Sequence, residues 1–158
     1  MKLYLQQKVF SIGEKFTLYD EGGNERYYVQ GELFSFGKKL HILDLRGNEL
    51  AMIRQKVFSF LPTYDIDVNG QEIARVIKRF TMFRNEYTIE GLDWVVHGNM
   101  FDHDYEFYSG NAVIARVSKA WFTFGDAYEI DISPNAPLLT ALAVVLVIDA
   151  CLDTQENH

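Results

Sequence analysis

Three groups of residues carry side chains suited to chemistry. The first is basic. Arg75, Lys78, Arg79 and Arg84 crowd one stretch, and Arg116 and Lys119 align with it in a later repeat. Cations so spaced are the candidates for an anionic headgroup or phosphate site. The plainer reading is a solvated strand face with cross-strand ion pairs. Net charge favours it, since 15 basic residues stand against 22 acidic ones, giving −7. That balance argues against nucleic acid, which is held by neutralising phosphates, and against general adhesion to anionic lipid. Strict alternation would turn Lys78 and Lys119 to an inner face. The expectation is instead a place at a barrel rim or past a bulge, from which one of them pairs with Asp149.

The second group is His97, Asp102, His103 and Asp104, in Val-Val-His-Gly-Asn-Met-Phe-Asp-His-Asp-Tyr. His and Asp ligate metals, but the spacing matches no zinc signature. In an extended chain Asp102, His103 and Asp104 cannot share a face, and turn chemistry explains them as well. The third group is Asp149 and Cys151. Asp149 is either a buried acid with a raised pKa or an acid at a helix end that reaches a cation, since a buried charge must be paired. Cys151 has no basic neighbour in sequence and reads as a buried apolar thiol. No serine, histidine and acid fall in a nucleophile-elbow context. The glycine turns are not followed by Lys-Ser/Thr at a helix start, as a phosphate loop requires. No catalytic set, cofactor site or metal site is predicted.

These residues sit on a repeated element. A Gly/Asn turn, a long strand, an aromatic-Ser/Thr corner and a short strand recur from Gly23, Gly47, Asn69 and Gly110. Each unit is a hairpin. The longer interval before the last unit holds an extra pair, Trp94–His97 and Asp104–Tyr108. Upstream, residues 3–12 and 15–20 read as strands joined at Gly13-Glu14. Counting gives about twelve strands in an antiparallel meander, since no helices lie between them. Ala51/Ile53, Ala74/Val76 and Ala115/Val117 align between units and share one face. That face is expected to point inward, because alanine lets a strand approach a helix closely.

The helix is near the C-terminus. Pro137–Ile148 is an uncharged run, too short for a bilayer, which takes about 20 residues, and suited to burial on every side. Ser133 or Asn135 is expected to cap it, with Pro134 or Pro137 in its first turn. A sheet of about twelve strands closes to remove its edges. The fold expected over residues 1–158 is one all-β domain, a closed barrel around a central helix. One cysteine fits a reducing compartment, and the first residues lack the apolar run of a signal peptide. A cytoplasmic protein that does not span a membrane is the default.

Four stretches carry a family resemblance: Gln7-Lys8-x-Phe10-Ser11, Gly47-Asn-Glu-Leu-Ala-Met-Ile-Arg-Gln-Lys56, Val117-Ser-Lys-Ala-Trp-Phe-Thr123 and Val147-Ile-Asp-Ala-Cys151. Together they resemble the LURP-one-related family, whose fold is similar to the tubby C-terminal domain and to phospholipid scramblases. The resemblance covers nearly the whole chain and implies a twelve-stranded barrel around a hydrophobic helix. Tubby domains bind phosphoinositides through surface cations, but no such motif carries over here residue by residue. The function expected is a non-enzymatic binding or scaffold domain that contacts a lipid headgroup or a protein partner on the barrel surface. The alternative is a small-molecule carrier or enzyme with a site at the barrel mouth, and a scramblase-like lipid role is third. The first two part on whether the helix leaves room inside.

Overall fold

Buried and exposed side chains alternate along the strands, and this alternation builds the barrel. The structure is a computed structural model that describes residues 1–6, 15–34, 37–80, 85–120 and 127–156. Its strands are β1 (Lys2–Gln6), β2 (Lys15–Tyr19), β3 (Glu25–Phe34), β4 (Gly37–Leu43), β5 (Glu49–Gln55), β6 (Thr63–Val68), β7 (Gln71–Phe80), β8 (Asn85–Glu90), β9 (Trp94–Asn99), β10 (Asp104–Ser109), β11 (Ala112–Ala120) and β12 (Ala127–Ile132). The helix α1 (Leu138–Glu156) follows. The first strand ends at Gln6, short of the expected residue 12, and residues 7–14 lie outside the described ones.

The sheet is an antiparallel meander in the order β8-β7-β6-β5-β4-β3-β2-β1-β12-β11-β10-β9. β1 joins the ends of the sequence, pairing Leu3 with Ile130 on one side and Leu5 with Leu18 on the other. The barrel is nearly closed and not fully closed as expected. β8 and β9 lie side by side, but no ladder pairing joins them among the described residues. Their connection turns at Gly91, which packs so tightly on β7 that a Cβ there would lie 2.6 Å from the carbonyl oxygen of Ile73. Gly91 has φ +92°, so this close approach and its backbone conformation both call for glycine there.

Ala51, Ile53, Ala74, Val76, Ala115 and Val117 all point inward and are buried. α1 runs closest to β5, β6, β7, β11 and β12, among them the three strands that carry these alanines. Aromatics fill the β9–β10 side, where Trp94 stacks on Phe107 at 6.3 Å and Tyr105 meets Phe107 at 5.7 Å. The helix is apolar all round from Ala141 to Ile148, as a helix enclosed by a sheet must be.

α1 is longer than the apolar run predicted it to be, continuing past Asp149 to Glu156. No helix among the described residues is long and apolar enough to cross a membrane. Its start also differs from expectation. Ser133 Oγ donates to the carbonyl of Val113 at 2.6 Å, tying the lead-in to β11 in place of capping the helix. The first helical bond runs from the Ala141 N–H to the Pro137 carbonyl at 3.0 Å.

Hairpin parity sorts the connections into two ends. At one end are the Gly/Asn turns. Asp20 accepts from the backbone N–H groups of Gly22 and Asn24, and Asp44 accepts likewise from Arg46 and Asn48, all at 2.8–2.9 Å. Between β6 and β7 the turn is Asn69-Gly70, with φ of 52° and 78°. That is the two-residue turn whose twist matches its strands. At the other end lie the aromatic corners and the C-terminal part of α1.

Candidate functional site

The end with the aromatic corners holds a cavity of about 600 Å³. One wall is the loop from Lys56 to Pro62 between β5 and β6. Two hydrogen bonds hold that loop at its base: the Lys56 N–H donates to Thr63 O at 2.8 Å, and the Lys78 N–H to Pro62 O at 2.9 Å. Thr63 Oγ1 adds a bond to Leu61 O at 2.8 Å. Phe80 and Lys78 of β7 form the opposite wall, and Tyr64 of β6 and Cys151 of α1 line the interior side. The apolar lining opens to solvent, with Phe60 103% exposed and Val57 and Phe80 about half exposed, while Phe58 on the same loop is 96% exposed without lining the cavity. Contiguous exposed apolar surface of this kind marks binding sites in soluble proteins.

Lys78 is the chemically distinctive residue of the cavity. Its side chain continues the inward series Ala74, Val76, Lys78 and is only 2% exposed. The expectation of a bulge is therefore corrected, and Lys78 stays on the inner face at the mouth end of β7. The one register shift between β6 and β7 falls at Ile66/Asp67, toward the other end, so alternation holds through Lys78. Nor does it pair with Asp149. Its ammonium lies 5.6 Å from the Phe80 ring centroid and faces the thiol of Cys151. Burial pulls its pKa below the usual lysine value. Burial also pushes the Cys151 thiol up to about 11, although Lys78 and Lys38 act against it. Desolvation dominates in both cases, because the charged forms of both groups lose more by leaving water. Beside them the Tyr87 hydroxyl, opposite Lys78 in the ladder, is buried without a hydrogen-bond partner among the described residues.

The other predicted cations do not gather. Arg75 faces outward, and its Nε donates to Asp65 at 2.7 Å, with Glu72 at 4.0 Å and Glu90 opposite in the ladder. Arg79 Nε donates to Thr88 Oγ1 at 2.8 Å. Arg116 pairs with Glu106 at 3.2 Å on β10. Lys119 is exposed at the rim near His103. β7 and β11 are separated by β8, the seam, β9 and β10, so the aligned repeats lie apart in space. Arg84 lies outside the described residues.

The His/Asp stretch also disperses. Asp102 accepts from Asn99 Nδ2 at 2.6 Å, and His103 Nε2 lies 2.9 Å from the Tyr128 hydroxyl with the rings stacked at 4.0 Å. His97 meets Tyr108 edge-on at 5.7 Å. Among the described residues no group of His, Cys, Asp and Glu is arranged to hold a metal ion. Asp149 is half-buried on α1, and its charge faces the hydroxyls of Tyr87 and Tyr105.

Strict alternation along β7 is the sequence signal that places Lys78 on the inner face. Phe58 and Phe60 were legible as a corner but not as exposed side chains. Their signal is two aromatics at alternating positions in a loop, where no strand exists to bury either.

Residues 1–149 match the family model described as LURP-one-related. The chain belongs to the LURP-one-related family. It is 32% identical over 158 residues to the Bacillus subtilis (strain 168) protein YxjI, described as uncharacterized, covering 100% of this chain and 98% of that protein. The X-ray structure of an Arabidopsis thaliana protein has the same fold, with a TM-score of 0.67 and 16% identity over 95% of this chain and 90% of that one. The barrel with one C-terminal helix is therefore an architecture shared by the LURP-one-related chain and a plant protein of low sequence identity.

Proposed function

We propose that this LURP-one-related chain is a non-enzymatic binding domain that holds a small apolar or amphipathic molecule in the mouth of its barrel. The carrying observation is the open cavity of about 600 Å³ lined by the Lys56–Pro62 loop, Phe80, Tyr64 and Cys151. Its size falls within the range of about 300–1,000 Å³ usual for ligand sites, and its lining is mostly apolar with few polar groups. The helix fills the middle of the barrel, yet it leaves this mouth unfilled. A surface headgroup site at Arg75, Arg79 and Arg116 is the weaker reading, because each already has an acidic or hydroxyl partner. Holding, as opposed to catalysis, suits a thiol kept protonated by burial. A cytoplasmic setting suits a chain with a single cysteine.

The test uses Nile red, a neutral apolar dye. Saturable binding with about one dye per chain and a blue-shifted emission is expected, lost in Leu61→Asp while the melting temperature holds. Dye binding that Leu61→Asp leaves unchanged would remove the barrel mouth as the site.

A further inference from the structure

We infer that the ligand of the mouth is a singly charged, straight-chain carboxylate whose head is held by Lys78. This deepens the barrel-mouth reading and rests on it. Three observations converge. First, Lys78 is 2% exposed and lines the cavity, and among the described residues no carboxylate pairs with its ammonium. A cation taken out of water is costly unless an anion meets it, so a ligand anion supplies what the fold leaves out. Second, Lys78 is the only buried charged cation among the described residues of the core. Lys56 lines the cavity but stands in solvent, and Lys38, which acts on Cys151, is only half-buried and does not line the cavity; partly solvated ion pairs of this kind contribute little. One buried positive charge balances one negative charge. A phosphomonoester, carrying nearly two, would leave an excess negative charge buried. Third, the walls leading away from Lys78 are Phe80, Phe60 and Leu61, opening to the apolar lip. An alkyl chain leaving the head group would lie along them and exclude water from the ion pair.

The chain's overall charge of −7 sets the source. A protein of this sign is repelled by anionic membrane surfaces, so the carboxylate is taken as a monomer from solution and not from a charged bilayer.

The experiment is calorimetric titration of the full chain with decanoate, 1-decanol and decyl phosphate. Decanoate is expected to bind most tightly. Lys78→Met is expected to weaken decanoate by about tenfold to a hundredfold, the range for a hydrogen bond to a charged group, and to leave decanol within about twofold. Lys56→Met is expected to leave decanoate within about twofold, as an exposed ion pair should. Folding does not confound the variant. Lys78→Met removes a lone buried charge, so its melting temperature is expected at or above that of the parent chain. Decanol binding as tightly as decanoate, with no effect of Lys78→Met, overturns the head-group assignment while leaving the mouth as a site. Decyl phosphate binding more than about tenfold tighter than decanoate overturns the single charge. No binding of any of the three overturns this inference, and a negative Nile red result beside it removes the site as well.

Discussion

The two ends of the barrel solve different problems with the same hairpins. At the turn end, the polar groups satisfy one another: Asp20 and Asp44 each gather two backbone N–H groups, and Asn69-Gly70 reverses the chain with no spare residue. At the corner end, the loop from Lys56 to Pro62 carries two almost fully exposed phenylalanines beside a cavity with a buried lysine on its wall. Turns of the first kind lower the entropic cost of closing a hairpin. Loops of the second kind leave apolar surface in water and a charge out of it, both unfavourable to folding alone. The difference shows that one end is built around satisfied hydrogen bonds while the other keeps features that folding alone does not explain.

The comparison can be broken in three ways. The largest effect is expected from α1, which spans both ends. A chain truncated after Asn135 should lose cooperative unfolding and the strand signal in circular dichroism, because the inward faces of β5–β7 then have nothing to cover them. A truncated chain that melts cooperatively would show that the barrel stands without its helix. Next, the ends should respond oppositely to substitution. Gly70→Val puts a branched side chain at φ 78° and should cost about 1–3 kcal/mol, read by urea denaturation. Phe60→Ser removes an exposed aromatic that lines the cavity and should stay within about 0.5 kcal/mol while weakening Nile red binding. Equal destabilisation at both ends would erase the distinction.

The smallest effect lies on the barrel wall between the ends. His41 sits between Glu32, at 2.9 Å from Nε2, and Glu49, which bonds Nδ1. Partial burial pulls the imidazole pKa down, and the two hydrogen bonds and charges outweigh it, so the net shift is upward. A raised folded pKa contributes stability that is fully present below the unfolded value of about 6.5 and is lost as pH rises through the folded value. The melting temperature of the parent chain should therefore exceed that of His41→Gln at pH 5.5–6 (roughly one pH unit below the unfolded value), and the gap should shrink toward pH 8. A gap that widens with rising pH would reverse the assignment.

Much of the fold was legible because its signals are periodic. Ala51, Ala74 and Ala115 recur at one place in each repeat, and a small residue repeated on one face has few uses besides admitting a helix. The seam between β8 and β9 was not legible. Sequence spacing shows where β8 and β9 begin and end, but not whether two neighbouring strands form a ladder. The site was half legible. Lys78 stood in the inward series, yet nothing in the local sequence said that the 56–62 loop would stand off from Cys151, which lies about ninety residues downstream, and leave a cavity between them. The cations grouped by sequence alignment were separated by topology, because units that repeat along the chain are spread around a barrel.

The pairing of β1 with β12 has a kinetic consequence. Leu3 and Ile130 are neighbours in the sheet and 127 positions apart in the chain. Pairings this distant are the slow ones, since the intervening loop must close before they stabilise anything. On a ribosome adding about 5–20 residues per second, β1 waits roughly 6–25 s for its partner, and the helix that fills the barrel emerges after that. For this interval the inward faces of β2 to β8 are exposed apolar sheet. The hairpins must stay separate until the helix arrives, and through this interval their unpaired strands are the part of the chain most open to association.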